Sequence, residues 1–254
     1  MPVRRASVAA VLVGALLLSL GTLLLAIRLT AGGAEETATT APAAVTDGYA
    51  FWDVRADGSP VRWDPCSAIP WVLRVHGAPE GARAMLETAT ERITQADGPR
   101  FVYVGPSDEA PAPTRAAYQP DRYGADAWAP VLVAWAPPGS DGLPLRGSDR
   151  AISLPIAVDG IFVSGQVVFN DRRTLEVDFA DRTTSWGATA IHEFVHVAGL
   201  DHVDDPTQLM HRFAGSGPVE FGEGDLAGLE GLTAPGCLDA GTPRHVTVDL
   251  RPRR

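Results

Sequence analysis

HEFVHVAGLDH, residues 192–202, gathers three of the chain's six histidines into one short stretch. His192 and His196 are four apart, so on a helix their rings lie on one face, a turn from each other. That spacing lets both imidazoles reach a single ion. Glu193 is rotated from His192 by about 100°, which sets it beside such an ion without making it a ligand. Gly199 accepts the backbone conformation that ends a helix, so the chain can turn sharply and bring His202 back. Three neutral imidazoles make an open metal site with a free position for water. The pattern implies hydrolysis of an amide by metal-activated water. His192, His196 and His202 would be the ligands, and Glu193 the general base that passes the proton to the leaving amine. Zinc is the default ion for three imidazoles.

The surrounding chain supplies the frame. Residues 184–200 predict a central helix, with Thr183, Thr184 or Ser185 able to cap it and Ala188, Ile191, Val195 and Ala198 on its apolar side. Upstream, Trp71–His76 alternates like a strand. Glu80–Ala96 has helical spacing and is stopped by Asp97-Gly98-Pro99. Phe101–Val104, Val131–Trp135 and Ile161–Asn170 read as strands, with Gly165 a candidate bulge. Residues 105–127 and 137–150 read as long surface loops. Strand, helix, three strands, then helices predict an α/β or α+β domain with a mixed sheet.

The longer pattern H-E-x-x-H-x-x-G-x-x-H is matched at all five of its fixed positions, and Met210 follows His202 by eight residues. On these residues the chain resembles the metzincin zinc peptidases, and among them a matrixin-like group of exported bacterial proteins. The resemblance implies an α+β catalytic domain over residues 49–254, with a twisted mixed sheet, an active-site helix, a Met-turn and a C-terminal helix in FGEGDLAGLEGL (221–232). It implies one catalytic zinc ion on His192, His196 and His202, with Glu193 as base and acid. Gly199 would make the turn and Met210 the hydrophobic floor. VSGQVVFN (163–170) is similar to the strand that lines the cleft in such enzymes, so Val163, Ser164, Gly165 and Gln166 would pair with the backbone of a peptide or protein substrate. One departure stands out. Matrixins have proline two residues after the methionine, and this chain has Arg212. His211 or Arg212 could present a cation to substrate there.

Composition bounds the rest. The chain is 45% hydrophobic and carries a net charge of −10, with no basic stripe of the kind that binds nucleic acid. Arg4 and Arg5 precede an uncharged run over residues 6–27. As a helix it would span roughly 33 Å, enough for the hydrocarbon core of about 30 Å. It is longer than the core of a secretory signal. Residues 1–29 therefore read as a single-pass membrane anchor with the domain outside. The alternative is a signal cleaved near Ala31–Ala34 and a secreted product. Residues 30–48 read as a flexible linker. Cys66 and Cys237 read as a disulfide in an oxidising compartment; a thiol that caps a metal is the alternative. Asp201, Asp204 and Asp205 read as an acidic turn, or else orient a histidine or hold calcium. A monomer is expected. The functional readings are an exported zinc endopeptidase, a non-catalytic surface module that binds peptide, and a zinc hydrolase acting on another amide such as cell-wall peptide.

Overall fold

The computed structural model describes residues 45–46, 48–212 and 217–246. The expected anchor over residues 1–29 lies outside these. Among the described residues no helix is long and apolar enough to cross a membrane.

The fold is α+β. Its centre is a five-stranded sheet of β3 (Ile69–Arg74), β4 (Phe101–Ser107), β5 (Val131–Ala136), β6 (Ala151–Val158) and β7 (Ile161–Asn170), in the order β4-β3-β5-β7-β6. Every contact is parallel except that of β6 with β7. β5 and β7 are buried along their whole length. A strand covered on both faces must be apolar without alternation, which is how VLVAWA and much of IFVSGQVVFN read.

One face carries two helices, α1 (Ala82–Gln95) and α2 (Trp186–Ala198). Met85, Leu86, Ala89 and Ile93 of α1 join Trp71, Val133, Trp135, Phe169 and the α2 residue Phe194 in one core. Phe194 meets Trp71 and Phe101 edge-on, with ring centroids 5.9 and 5.2 Å apart, a favoured arrangement for aromatic quadrupoles. All residues of α2 are buried, so its polar side chains must find partners inside the protein.

The other face is covered by the two long loops, which the sequence marks only as surface segments. Leu143 and Leu145 pack on Ala136, Ile152, Leu154 and Val168. The first loop is pinned by a buried ion pair: Arg115 Nε donates to Glu109 at 2.7 Å. Arg115 also donates to Ser164 Oγ, Gly165 O and Pro130 O at 2.8–2.9 Å. This pairing holds the Glu109 carboxyl below its usual pKa against the opposing effect of burial.

Three expectations need correction. β6 is not among the strands legible in the sequence, because Pro155 interrupts AISLPIAV. Proline lacks a ladder donor and is tolerated at a sheet edge, and β6 is that edge. Gly165 is not a bulge. It sits opposite Pro155, where a Cβ would come within 3.2 Å of Leu154 O and Pro155 Cα; the register shift falls instead between Ile156 and Ala157. The linker reading runs too far. Val45–Thr46 (β1) pairs with Tyr49–Phe51 (β2), and β2 pairs with Leu200–Asp201 (β8). A Cβ on Gly224 would fall on Gly48 O, so the backbone at residue 48 is packed into the domain.

The last helix, α3 (Glu223–Leu232), closes this second, three-stranded sheet. Cys66 and Cys237 are joined, with Cα atoms 5.3 Å apart and a sequence separation of 171. The bridge ties the entry to β3 to the segment after α3.

Candidate metal centre

α2 delivers two of the three histidines. Its N-cap is Ser185, whose side chain makes no capping bond and donates to the Asp178 carboxylate instead. At its other end Gly199 has φ +128°, and its N–H reaches the carbonyls of Val195 and His196 at 3.1 Å. A Cβ there would also press on Leu232 and Phe162 at 3.0 and 3.2 Å. Both the conformation and the space call for glycine. Trp63 Nε1 donates to Val197 O at 2.7 Å, anchoring the last turn.

Beyond Gly199 the chain enters β8 and returns His202 to the helix. His202 Nε2 lies 3.2 Å from His192 Nε2 and 3.1 Å from His196 Nε2. His192 Nδ1 is 3.0 Å from Leu209 O, and His196 Nδ1 is 2.8 Å from Leu200 O. A carbonyl can only accept, so both Nδ1 atoms carry the proton and both Nε2 atoms turn lone pairs inward. A cation shared with His202 Nε2 would satisfy these lone pairs. The spacing suits an ion about 2.0–2.1 Å from each nitrogen, as zinc requires. His202 Nδ1 is buried with no hydrogen-bond partner, the Asp201 carboxylate being 3.9 Å away.

Burial keeps these rings neutral. It lowers His196 to about 4 and, with the neighbouring His196, His202 to about 3. His192 falls well below its usual value for the same reason, followed by repulsion from the other two rings. Unfolded histidine titrates near about 6.5, so the fold favours the neutral form. Its stabilising share is full above that pH and is lost as pH falls towards about 4. Glu193, whose pKa is raised to about 7, acts in the opposite sense, so we expect the melting temperature of the metal-stripped Glu193→Gln chain to be level above neutrality and to drop through this acidic window. A melting temperature that rises on acidification would refute the assignment.

Glu193 lies on the same buried helix, and burial lifts its pKa to about 7. Ser153 Oγ on β6 sits 2.7 Å from Glu193 Oε2 and 2.8 Å from its carbonyl oxygen. The carboxylate is thereby tethered to the edge strand. A cavity of about 480 Å³ lies over these groups, bounded by Ala151, Ile152 and Ser153 of β6, by the three histidines and by Trp52.

Met210 is buried in the core beneath α2. The turn that carries it is held by Asp225 of α3, a residue with no visible role in the sequence. Its carboxylate accepts the N–H groups of Leu209 (2.6 Å), Met210 (3.1 Å) and Gly222 (2.8 Å). Leu209 is also the residue whose carbonyl orients His192. Burial raises the Asp225 pKa in spite of these donors.

Val163, Ser164, Gly165 and Gln166 are not brought to the cleft. β7 pairs with β6 along Ile161–Phe169 and with β5 over Gln166–Asn170, and on the β5 side Gly165 O is taken by Arg115, so this stretch does not offer its backbone to a substrate. Ser164 Oγ donates to Ala129 O, and the Gln166 side chain binds the backbone of Ala112. The free edge beside the histidines belongs to β6. The three aspartates around His202 are spread among separate tasks: Asp204 pairs with Arg212 at 2.9 Å, Asp205 caps Thr207, and Asp201 accepts the His202 N–H at 2.7 Å. Among the described residues only two groups could gather around an ion, the three histidines and Asp64 with the two bridged cysteines. A disulfide leaves the second without thiolates.

An α+β sheet with three converging imidazoles and a buried glutamate defines a class, the metzincin-like metallopeptidase domain. The sequence model of the matrixin family matches residues 139–232, from the loop before β6 to the end of α3. The match supports a metzincin-like metallopeptidase domain over these residues. No curated protein matches the sequence.

Proposed function

We propose that the chain is an exported endopeptidase, held at the membrane by residues 1–29, with residues 49–254 as its catalytic domain and residues 30–48 leading into it. The observation that carries this reading is the joint placement of the inward-facing Nε2 atoms of His192, His196 and His202 and the buried Glu193 around one cavity. A zinc ion held by these rings would polarise the scissile carbonyl and acidify a water molecule. Glu193 takes the proton from the attacking water and delivers it to the nitrogen of the leaving amine. A carboxyl near pH 7 in pKa is suited to both transfers. Ser153 holds the carboxylate during them. β6 presents the unpaired edge along which an extended peptide can add as a strand, and its Ala151–Ser153 end lies in the cavity.

The test is digestion of a diverse peptide library by the purified 254-residue chain. Internal cuts are expected, lost on treatment with a zinc chelator and restored by zinc but not by calcium. A folded, zinc-loaded chain that cuts no peptide would sink the reading.

A further inference from the structure

The chain has a net charge of −10, yet five arginines line the cavity above the histidines: Arg146, Arg150, Arg173, Arg182 and Arg212. The carboxylates lining the same cavity are Glu193 and Asp149. Asp149 is occupied as a turn cap, accepting from Arg146 N–H at 2.8 Å and Ser148 Oγ at 3.1 Å. Among the described residues Arg212 is the one member of the five that pairs with a carboxylate, Asp204. Three of the others lean on backbone carbonyls. Arg150 donates to Arg182 O, and Arg173 donates to Gly147 O and Ser148 O. Arg182 donates to His211 O at 3.2 Å, and its Nη2 lies 3.3 Å from His192 Nδ1.

Arg182 is the telling member. It is 5% exposed, and its buried Nη1, close to Gly217, has no hydrogen-bond partner among the described residues. A buried guanidinium with an unused donor is costly unless an anion completes it. Arg150, half-buried, is pushed down from its ordinary pKa first by burial and then by the Arg173 guanidinium, with the Asp181 carboxylate only partly opposing them. A guanidinium presents its donors as a planar fork that fits a carboxylate with two bonds. A bound zinc ion would add to the same positive field.

We propose that this cavity selects acidic peptides, with Arg150, Arg173 and Arg182 holding an aspartate or glutamate side chain next to the scissile bond. The inference rests on the peptidase reading for its substrate, but it concerns recognition and can be measured without turnover. The 254-residue chain carrying Glu193→Gln, loaded with zinc in an uncharged detergent, is equilibrated with the same peptide library, and the bound fraction is sequenced by mass spectrometry. At one or two positions aspartate and glutamate should be enriched about tenfold over asparagine and glutamine. The enrichment should shrink as salt is raised. It should vanish when Arg150→Gln and Arg173→Gln are added; Arg173 is exposed, Arg150 is half-buried, and neither belongs to the apolar core. A profile indifferent to charge, a preference for basic residues, or acidic enrichment that survives the double substitution would each overturn the proposal. Cleavage by the unsubstituted chain without acidic preference would remove this inference and leave the peptidase. Acidic enrichment without any cleavage would do the reverse.

Discussion

Glu193→Gln should lower kcat for peptide cleavage by roughly 10³-fold, within the range of about 10²–10⁴ that a positioned general base contributes, while zinc stays bound. The amide has nearly the shape of the carboxyl, and Ser153 Oγ stays within hydrogen-bond reach of it, able to donate its one proton to the side-chain oxygen or to the residue 193 carbonyl. Two of the three ligand rings are oriented without Glu193, by Leu209 O and Leu200 O. The loss would therefore fall on kcat rather than on metal content. Parallel kinetics and zinc analysis check this. A variant that keeps activity to within a factor of about ten of the parent would mean that another group moves the proton.

The second large effect is expected far from substrate. Asp225→Ala leaves the N–H groups of Leu209, Met210 and Gly222 without their acceptor inside the protein. Each stranded donor costs about 1–3 kcal/mol, so the loss of stability should be on the order of 4 kcal/mol. The turn that relaxes is the one whose carbonyl orients His192. Zinc affinity should fall roughly 10–100-fold, as when other outer supports of metal ligands are removed. Asp225→Asn keeps one acceptor oxygen and should lie between. Denaturant unfolding of the metal-stripped chain and chelator competition for zinc separate the two losses. Unchanged affinity in the alanine variant would show that the turn does not depend on this carboxylate.

The two predictions differ in how much of them is legible in sequence. Glu193 is, because the helix period ties it to His192 and His196 within a single turn, and Gly199 marks where that helix must stop. Asp225 is not. Its partners lie on a turn earlier in the chain, and nothing periodic links them. The same holds for Ser153, which meets Glu193 only once β6 lies beside α2, and for the five arginines scattered between residues 146 and 212. The placement of the cleft strand fails for a related reason. A largely apolar stretch without alternation, such as IFVSGQVVFN, marks burial on both faces, and burial on both faces goes with an interior position. The strand that keeps a free edge is the one whose pattern Pro155 blurs. The long loops are misjudged because their anchors, Leu143, Leu145 and the Glu109–Arg115 pair, are few and irregularly spaced.

The pairing of β2 with β8 bears on when the protein can first act. Ala50 and Phe51 are the register partners of Asp201 and Leu200, Trp52 N–H reaches Gly199 O at 2.7 Å, and the next residue along is the ligand His202. A segment synthesised early thus completes the wall of a site whose histidines, supporting turn and Asp225 are synthesised late. Contacts so distant in sequence form slowly and only after much of the chain is present. A nascent or truncated chain would hold the helix with His192 and His196 and still lack the third ring in place. Proteolytic competence would then arrive as a late folding event, so that an unfinished molecule is spared from cutting its own unfolded neighbours.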